Sequence, residues 1–396
     1  MAPGRHFIAL DSLRGLCAII VALGHFPAMG LLLQSGFIEH SYLFVDFFFV
    51  LSGFVIAANY ISRIDSSPSL IRFLWLRVGR LYPLHLAVFL AYFGFELVRF
   101  IAGSADAFTG DKQLEAIPTN LLLIHSLGIH EDVTWNRPSW SISCELFAYV
   151  TFAVSTLAAG KLRYLAYALI TAGSFLVLAY FNDGGFLSTH QFGFFRCLAG
   201  FFAGVFVWRI WSALASRSES DGAKRPYWTM LEVLTVLVII AFVNMVPFES
   251  VVNFAVPFLF GAAVLVFAFE NGHLSGFIKH RVFVFLGTLS YSIYMVHQFL
   301  IDRLLNAGTV VGAMTDIEIL DRSGEFVQFA PTGLWADLFA MAFIGMTVAL
   351  SYLTYRFIEA PCRDYFRKIA PYGRDVKRAK PETPVASDGE AVRSSL

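Results

Sequence analysis

The first strongly apolar stretch of the chain, LDSLRGLCAIIVALGHF at residues 10–26, contains two residue types that often take part in chemistry, Arg14 and His25. Eleven steps of 100° place them within about 20° of each other around a helix and about 16 Å apart along its axis. A histidine titrates near neutral pH and can act as a general base. An arginine binds carboxylate or phosphate oxygens. One helix face therefore presents a fixed cation at one end and a candidate base at the other.

The composition indicates where that helix lies. The 396 residues are 57% hydrophobic and only 15% charged, and 42 of them are Phe, whereas about 25% of residues are charged in ordinary soluble proteins. A soluble fold of this size cannot bury so much apolar surface, so we predict an all-α polytopic membrane protein. The net charge of zero gives no indication of a nucleic-acid partner, and the four cysteines are scattered without metal-ligand spacing, so we predict no metal.

Segments of about 20 mainly apolar residues predict ten transmembrane helices. They are 7–27, 41–60, 81–101, 139–159, 163–181, 192–212, 228–247, 250–270, 282–304 and 335–358. The first segment is interrupted by Asp11 and Arg14, which favours a retained helix over a signal peptide. With ten spans, most of the 29 lysines and arginines lie in segments on the same side of the membrane as the N-terminus, so both termini are predicted to be cytoplasmic. The segments of about 102–138 and 305–334 are then predicted to be the two long outer loops. Residues 1–370 are predicted to form one membrane domain, and the polar segment 371–396 a disordered cytoplasmic tail.

Four ionisable side chains share one predicted depth near the outer surface, each on a different helix. They are His25, Asp46, Glu145 and His297. An ionisable group inside a membrane costs about 3 kcal/mol on insertion scales and usually faces a protein interior or a cavity. Each one alone is also explained as an interfacial histidine or as a carboxylate that pairs helices. Together they predict a polar cavity that opens outward.

Within that cavity we expect His25 to be the general base and Asp46 or Glu145 to orient its imidazole. Candidate substrate-contacting or oxyanion-stabilising groups on the same segments are Ser52, Trp140, Ser143 and His297. Gly53 lies within about 20° of Asp46 around its helix, which predicts a close approach of another backbone or of a ligand.

The cytoplasmic side carries a different set of groups. The stretch RFLWLRVGRLYP at 72–83 places Arg77 and Arg80 on one helix face, with Arg72 nearby and Pro83 where the third span begins. Ordinary positive-inside charge explains such a run. The alternative is a site for a phosphate-bearing cytoplasmic ligand, because the arginine fork fits phosphate oxygens. Near the C-terminal end of the last span, Glu359 is expected to form a structural ion pair with Arg356 or Arg363.

In this order and on these spans, several short motifs resemble the membrane acyltransferase-3 family, which includes O-acetyltransferases of bacterial surface polysaccharides. The resemblance extends to about residue 368 and lies in six features. They are Arg14-x10-His25, VDFFFVLSGF, RVGRLYP, WSISCELFAY, LSYSIYMVHQ and YRFIEAP. The fourth motif departs from the usual family pattern because Leu146 stands where a second acidic residue is expected. A carboxylate pair is therefore not expected at that point.

The resemblance implies an enzyme, a membrane-bound O-acyltransferase of the bacterial inner (plasma) membrane. Its expected substrates are acetyl-CoA from the cytoplasm and a hydroxyl of a surface glycan, such as an exopolysaccharide or lipopolysaccharide, on the outer side. Arg14, Arg72, Arg77 and Arg80 would then bind the donor. The sequence leaves open direct transfer or an acetyl-His25 intermediate. Two other classes are a proton-coupled transporter of a small solute or glycan precursor, which also uses Asp, Glu and His in its spans, and a purely structural scaffold.

Overall fold

The computed structural model describes residues 6–182, 185–215, 225–248, 250–315, 317–324 and 326–372. This part of the chain is mainly helical. The helices are α1 (Ile8–Gly24), α2 (Gly36–Glu39), α3 (Phe44–Tyr60), α4 (Ser67–Ile101), α5 (Ile117–Leu121), α6 (Trp140–Ala159), α7 (Arg163–Phe181), α8 (Gly193–Ala215), α9 (Arg225–Met245), α10 (Val256–Phe267), α11 (His273–Ile278), α12 (Arg281–Thr315), α13 (Gly333–Thr354) and α14 (Ala360–Lys368). Almost all of the tail predicted for 371–396 lies outside the described residues.

Each of the ten predicted spans overlaps one of these helices. Seven helical stretches of the described chain are long and apolar enough to cross a membrane. The stretch Arg137–Phe181 contains both α6 and α7, and a hydrogen bond of 2.7 Å between Thr156 and Tyr167 joins the two helices. Helix α1 has 17 residues and α10 has 12. The fold is thus that of an integral membrane protein, while ten spans and cytoplasmic termini stay predictions.

Two predicted boundaries were wrong. Pro83 does not mark the start of a span, because α4 is one helix of 35 residues that continues through it. A proline within a helix removes one backbone hydrogen bond, and such breaks are tolerated where neighbouring helices supply partners. Pro83 removes the helical donor to the carbonyl of Gly79, and close to this point Tyr291 donates a hydrogen bond of 2.5 Å to the carbonyl of Leu81, which ties α4 to α12 beside the proline. Helix α12 also has 35 residues, so it occupies the beginning of the predicted outer loop 305–334.

Helices α1 and α12 pack against each other along much of their length. Their backbones meet at Gly15 and Gly287, where a Cβ on either residue would overlap the backbone of the other helix. The rings of His25 and His297, further along the same two helices, have centroids 5.1 Å apart. The two helices therefore run parallel, and small residues at the crossing allow the close contact.

Helices α3 and α8 form a second close pair. A Cβ on Gly53 would overlap the backbone of Phe201, and one on Gly204 would overlap the backbone of Val50. The close approach predicted at Gly53 is confirmed, and it is made by another helix.

A small sheet covers the end of α1. Strand β1 (Ala28–Met29) pairs in parallel with β3 (Gln328–Thr332), which pairs antiparallel with β2 (Leu320–Asp321). Phe26 stacks on Phe329 of β3 with ring centroids 5.1 Å apart. The sheet thereby fixes the residue directly after His25.

Candidate active site

The inner cavity, named for the predicted cytoplasmic side, has a volume of about 160 Å³ and lies between the N-terminal halves of α1 and α4, residues 45–56 of α3, and parts of α6 and α12. Its polar and charged lining residues are Asp11, Arg14, Ser52, Arg77, Arg80, Ser141, Glu145, Tyr149, Ser290, Tyr291 and Tyr294. The cavity thus brings together three of the four arginines predicted to bind a donor.

The three arginines differ in how firmly they are held. Arg80 is paired with the buried carboxylate of Glu359, which also accepts a hydrogen bond of 2.8 Å from Ser292. Arg14 donates to the carbonyl of Gly287 (3.0 Å). Arg77 donates to the phenol of Tyr60 (3.2 Å) and lies over that ring, 5.2 Å from its centre.

The Nε atoms of Arg14 and Arg77 are buried and have no hydrogen-bond partner within the described residues. A buried donor without a partner costs about 1–3 kcal/mol. An anionic group that came within hydrogen-bond distance of either Nε would remove that cost. The residues present therefore fit a phosphate-bearing or carboxylate ligand, and Arg77 is the most available of the three because none of the described carboxylates is paired with it.

Glu145 also lines this cavity. Its carboxylate accepts hydrogen bonds from Ser52 (2.6 Å) and Tyr149 (2.5 Å). The same carboxylate therefore holds two hydroxyl groups on α3 and α6, and Ser52 is placed at the cavity surface with its proton already donated.

An outer cavity of about 550 Å³ lies beyond the C-terminal end of α1. Its polar and charged lining residues are His25, Tyr42, Arg137, Trp140, Thr189, Arg196, Tyr294, Gln298 and Asp302. Segments of both predicted outer loops contribute to it, through Val133 of 102–138 and Phe326 of 305–334.

The hydrogen bonds of His25 define its tautomer. Its Nδ1 lies 2.8 Å from the carbonyl of Val21, and a carbonyl oxygen only accepts, so Nδ1 carries the proton. The Nε2 of this exposed side chain is then a free lone pair in the outer cavity. His297 is held in the same way, with Nδ1 3.2 Å from the carbonyl of Ile293 and a buried Nε2 that has no partner within the described chain. His25 therefore has the tautomer that a general base requires.

The two cavities meet at Val45 and Tyr294, which line both. Tyr294 accepts a hydrogen bond of 2.8 Å from Ser141, and its ring lies between those of Phe48 and His297, with centroids 5.8 and 5.9 Å away. A ligand that passes from the inner cavity to the outer one at this junction moves past these two side chains.

The sequence matches the acyltransferase domain of the acyltransferase-3 family over residues 7–356. The chain belongs to the acyltransferase-3 family. Both cavities lie within the region that matches the family's acyltransferase domain, whereas Glu359, the partner of Arg80, lies just after it.

Two relatives share parts of its sequence. Protein 2 in picA locus of Rhizobium radiobacter is 37% identical over 175 residues, which cover 38% of this chain and 83% of that protein. Acyltransferase MdmB of Streptomyces mycarofaciens is 33% identical over 116 residues, which cover 27% of this chain and 26% of MdmB. The chain thus spans about a quarter of MdmB in that match. No solved structure matches the chain.

In this member of the acyltransferase-3 family, the expected orientation of His25 by Asp46 or Glu145 was wrong. The fully buried Asp46 is paired with Arg196, which donates to it at 2.7 and 3.1 Å, and Glu145 faces the inner cavity. A buried carboxylate binds an available guanidinium because an unpaired charge is costly there. The carbonyl of Val21 takes the orienting role instead.

Three other predicted site residues of this family member lie apart from one another. Ser143 is buried, donates to the carbonyl of Leu123 (2.7 Å) and lines neither cavity. Trp140 lines the outer cavity, with the guanidinium of Arg196 5.5 Å from its ring centre. Arg72 lines neither cavity and donates to the carbonyl of Pro371 (3.2 Å). The expected partners of Glu359, Arg356 and Arg363, were also wrong, because Arg80 binds it.

Several side chains that line the two cavities were not predicted from the sequence. Arg196 lies within a predicted span, and an intramembrane charge is by default a sign of a partner or a site. Tyr294 belongs to a quoted motif but was not singled out. Gln298 directly follows His297, and Asp302 lies one helical turn after Gln298. Both line the outer cavity. A carboxylic acid and an amide so close in sequence to a candidate base were the signal by which these two residues could have been found.

Proposed function

We propose that this acyltransferase moves an acetyl group from cytoplasmic acetyl-CoA to a hydroxyl of a surface glycan at the outer face of the bacterial inner membrane. The single observation that carries the proposal is the arrangement of two adjoining cavities, one lined by three arginines and the other by the Nε2 of His25. A donor that carries phosphates fits the first cavity, and an uncharged hydroxyl fits the second.

The donor would be held by Arg14, Arg77 and Arg80, and not by Arg72. The two Nε atoms without partners would bind its phosphate or carbonyl oxygens. Its acyl end would have to reach past Tyr294, over a distance similar to the roughly 16 Å between the levels of Arg14 and His25.

In the transfer itself, Nε2 of His25 would accept the proton of the acceptor hydroxyl while the oxygen of that hydroxyl attacks the carbonyl carbon of the thioester. The C–S bond then breaks, and the departing sulfur receives the proton from His25. General-base assistance of this kind contributes about 10²–10⁴-fold. Ser52 and Tyr294 are hydroxyl groups near the path of the acyl group, and the buried His297 is in ring contact with His25. An acetyl-His25 intermediate is the variant that uses the same lone pair as nucleophile.

The test combines two measurements on one gene. Surface glycans of cells with and without the gene are compared by mass spectrometry, and binding of acetyl-CoA to the purified protein in detergent is measured. We expect loss of O-acetyl groups in the deletion strain and saturable binding of acetyl-CoA. Unchanged glycans would exclude the acceptor, and absence of binding would favour the transporter class.

A further inference from the structure

One face of α12 continues outward from Tyr294 along the wall of the outer cavity. The residues of this face that line the cavity are Tyr294, Gln298, Ile301, Asp302 and Leu305. Gln298 directly follows His297, whose ring contacts His25, and Asp302 lies about 6 Å further along the helix. A polar pair is thus built into the cavity wall next to the candidate base.

The pair has a fixed orientation. The side-chain amide of Gln298 donates to Asp302 Oδ1 (2.9 Å), and the phenol of Tyr92 donates to Asp302 Oδ2 (2.8 Å). A carboxylate has no proton to donate, so the nitrogen of Gln298 faces Asp302 and its Oε1 points away. No donor to that Oε1 is present among the described residues. Each carboxylate oxygen also retains one further lone pair. The exposed side of the pair therefore offers hydrogen-bond acceptors.

The charges around the pair narrow the class of ligand. Asp302 disfavours a carboxylate or phosphate at this point, because like charges repel. Arg137 lines the same cavity and disfavours a cation, whereas the charge of Arg196 there is balanced by Asp46. The remaining class of ligand is neutral and rich in hydroxyl donors.

We propose that Gln298 and Asp302 form an acceptor subsite that binds hydroxyl groups neighbouring the one that is acetylated. The subsite takes a neutral, polyhydroxylated acceptor such as a saccharide and determines which hydroxyl reaches His25. The inference rests on the proposed function, since it names the residues that recognise the acceptor of that reaction.

The experiment uses the full-length protein purified in detergent, acetyl-CoA, and surface glycan that is prepared from the gene-deleted strain and therefore lacks the transferred groups. Asp302→Asn preserves the shape of the side chain but removes its charge and replaces one acceptor oxygen with a donor NH2, and Gln298→Met removes the acceptor oxygen at nearly the same length. For both we expect the KM for glycan to rise roughly tenfold, because hydrogen bonds to hydroxyls are lost. The affinity for acetyl-CoA should stay unchanged. We also expect a changed position of the acetyl group, read by NMR of the product.

Asp321→Asn is the matched control, because that carboxylate lies on β2, just after α12, where it accepts hydrogen bonds from Ser323 and Gln328 and does not line the outer cavity. It should match the wild type in KM and in acetyl position. Unfolding temperature and acetyl-CoA affinity identify a variant that fails to fold. If Asp302→Asn is unfolded, Gln298→Met alone tests the subsite. Gln298 carries no charge, so its replacement leaves no charged group without a partner.

The outcomes separate the subsite from the function. If the wild type acetylates the glycan and both folded variants keep its KM and acetyl position, the subsite is overturned and the function stands. If the wild type does not acetylate the glycan, the proposed function is overturned and the subsite with it. A raised KM with a changed acetyl position supports both.

Discussion

His25 and His297 occupy equivalent positions on two parallel helices, with ring centroids 5.1 Å apart. Gly15 precedes His25 by the same ten positions by which Gly287 precedes His297, and the two glycines meet where α1 and α12 cross. The contact of the two imidazoles is therefore a consequence of helix register. Any change that shifts α1 along α12 also displaces the candidate base.

Replacement of His25 should separate catalysis from donor binding. In His25→Ala we expect O-acetylation to fall by at least about 10²-fold, because a general base acts mainly in the transition state. The affinity for acetyl-CoA should remain that of the wild type, since His25 does not line the inner cavity. Transfer to glycan and acetyl-CoA binding are measured on the same preparation. Near-normal transfer by a well-expressed variant would exclude a catalytic role.

The crossing of α1 and α12 gives a prediction about stability. The Cβ of Gly287→Ala would overlap the backbone carbonyl of Asp11, so we expect a loss of about 1–3 kcal/mol and lowered transfer from a displaced His25. Gly345→Ala on α13 is the control, because a Cβ there has no neighbour within 4 Å. In a helix that change should be neutral or stabilising by up to about 1 kcal/mol. Equal unfolding temperatures for the two variants would contradict the packing argument.

The inner arginines should differ in their contribution to donor binding. Arg77→Ala is expected to weaken acetyl-CoA binding by about 1.5–3 kcal/mol through loss of a charged hydrogen bond, and Arg77→Lys should recover only part of it because the fork is lost. Arg72→Ala should leave the affinity unchanged, since Arg72 lines neither cavity. Titration calorimetry on the three variants measures this. Equal affinities for Arg77→Ala and the wild type would mean that this arginine contributes only to the positive-inside charge that sets membrane topology.

The sequence allowed the placement of single helices but not the pairing between them. That Arg14 and His25 lie on one helix face follows from the helix period alone. The structure places Arg14 at the inner cavity and His25 at the outer one. The partner of Asp46 is Arg196, 150 residues away, and that of Arg80 is Glu359, 279 residues away. Such pairs depend on which helices become neighbours, and hydrophobic periodicity carries no information about that choice. The shared predicted depth of Asp46 and His25 therefore did not imply contact.

A buried histidine of the outer loop should make stability depend on pH. Burial lowers the pKa of His125 from its ordinary 6.5 to about 3, and the stacked ring of His85, 5.7 Å away, adds to the effect. Between these values the unfolded chain binds a proton that the folded one does not, so stability falls as the pH is lowered. From pH 7 to 5 the loss is about 2 kcal/mol. Unfolding temperatures at both values should differ less in His125→Gln, and an equal difference would contradict the assignment.

Tyr294 lies between the two cavities, and its removal should allow acetyl-CoA to be hydrolysed without transfer of the acetyl group to an acceptor. In Tyr294→Ala the space between Val45 and Ser141 opens, so water from the outer cavity reaches the thioester, and we expect acetyl-CoA to be hydrolysed severalfold faster without any glycan. Tyr294→Phe retains the ring and loses only the hydrogen bond with Ser141, so its hydrolysis should stay close to that of the wild type. Release of the CoA thiol in the absence of acceptor measures both. If Tyr294→Ala binds acetyl-CoA normally and releases thiol no faster than Tyr294→Phe, the ring does not keep water from the donor, and the acyl group reaches His25 by another path.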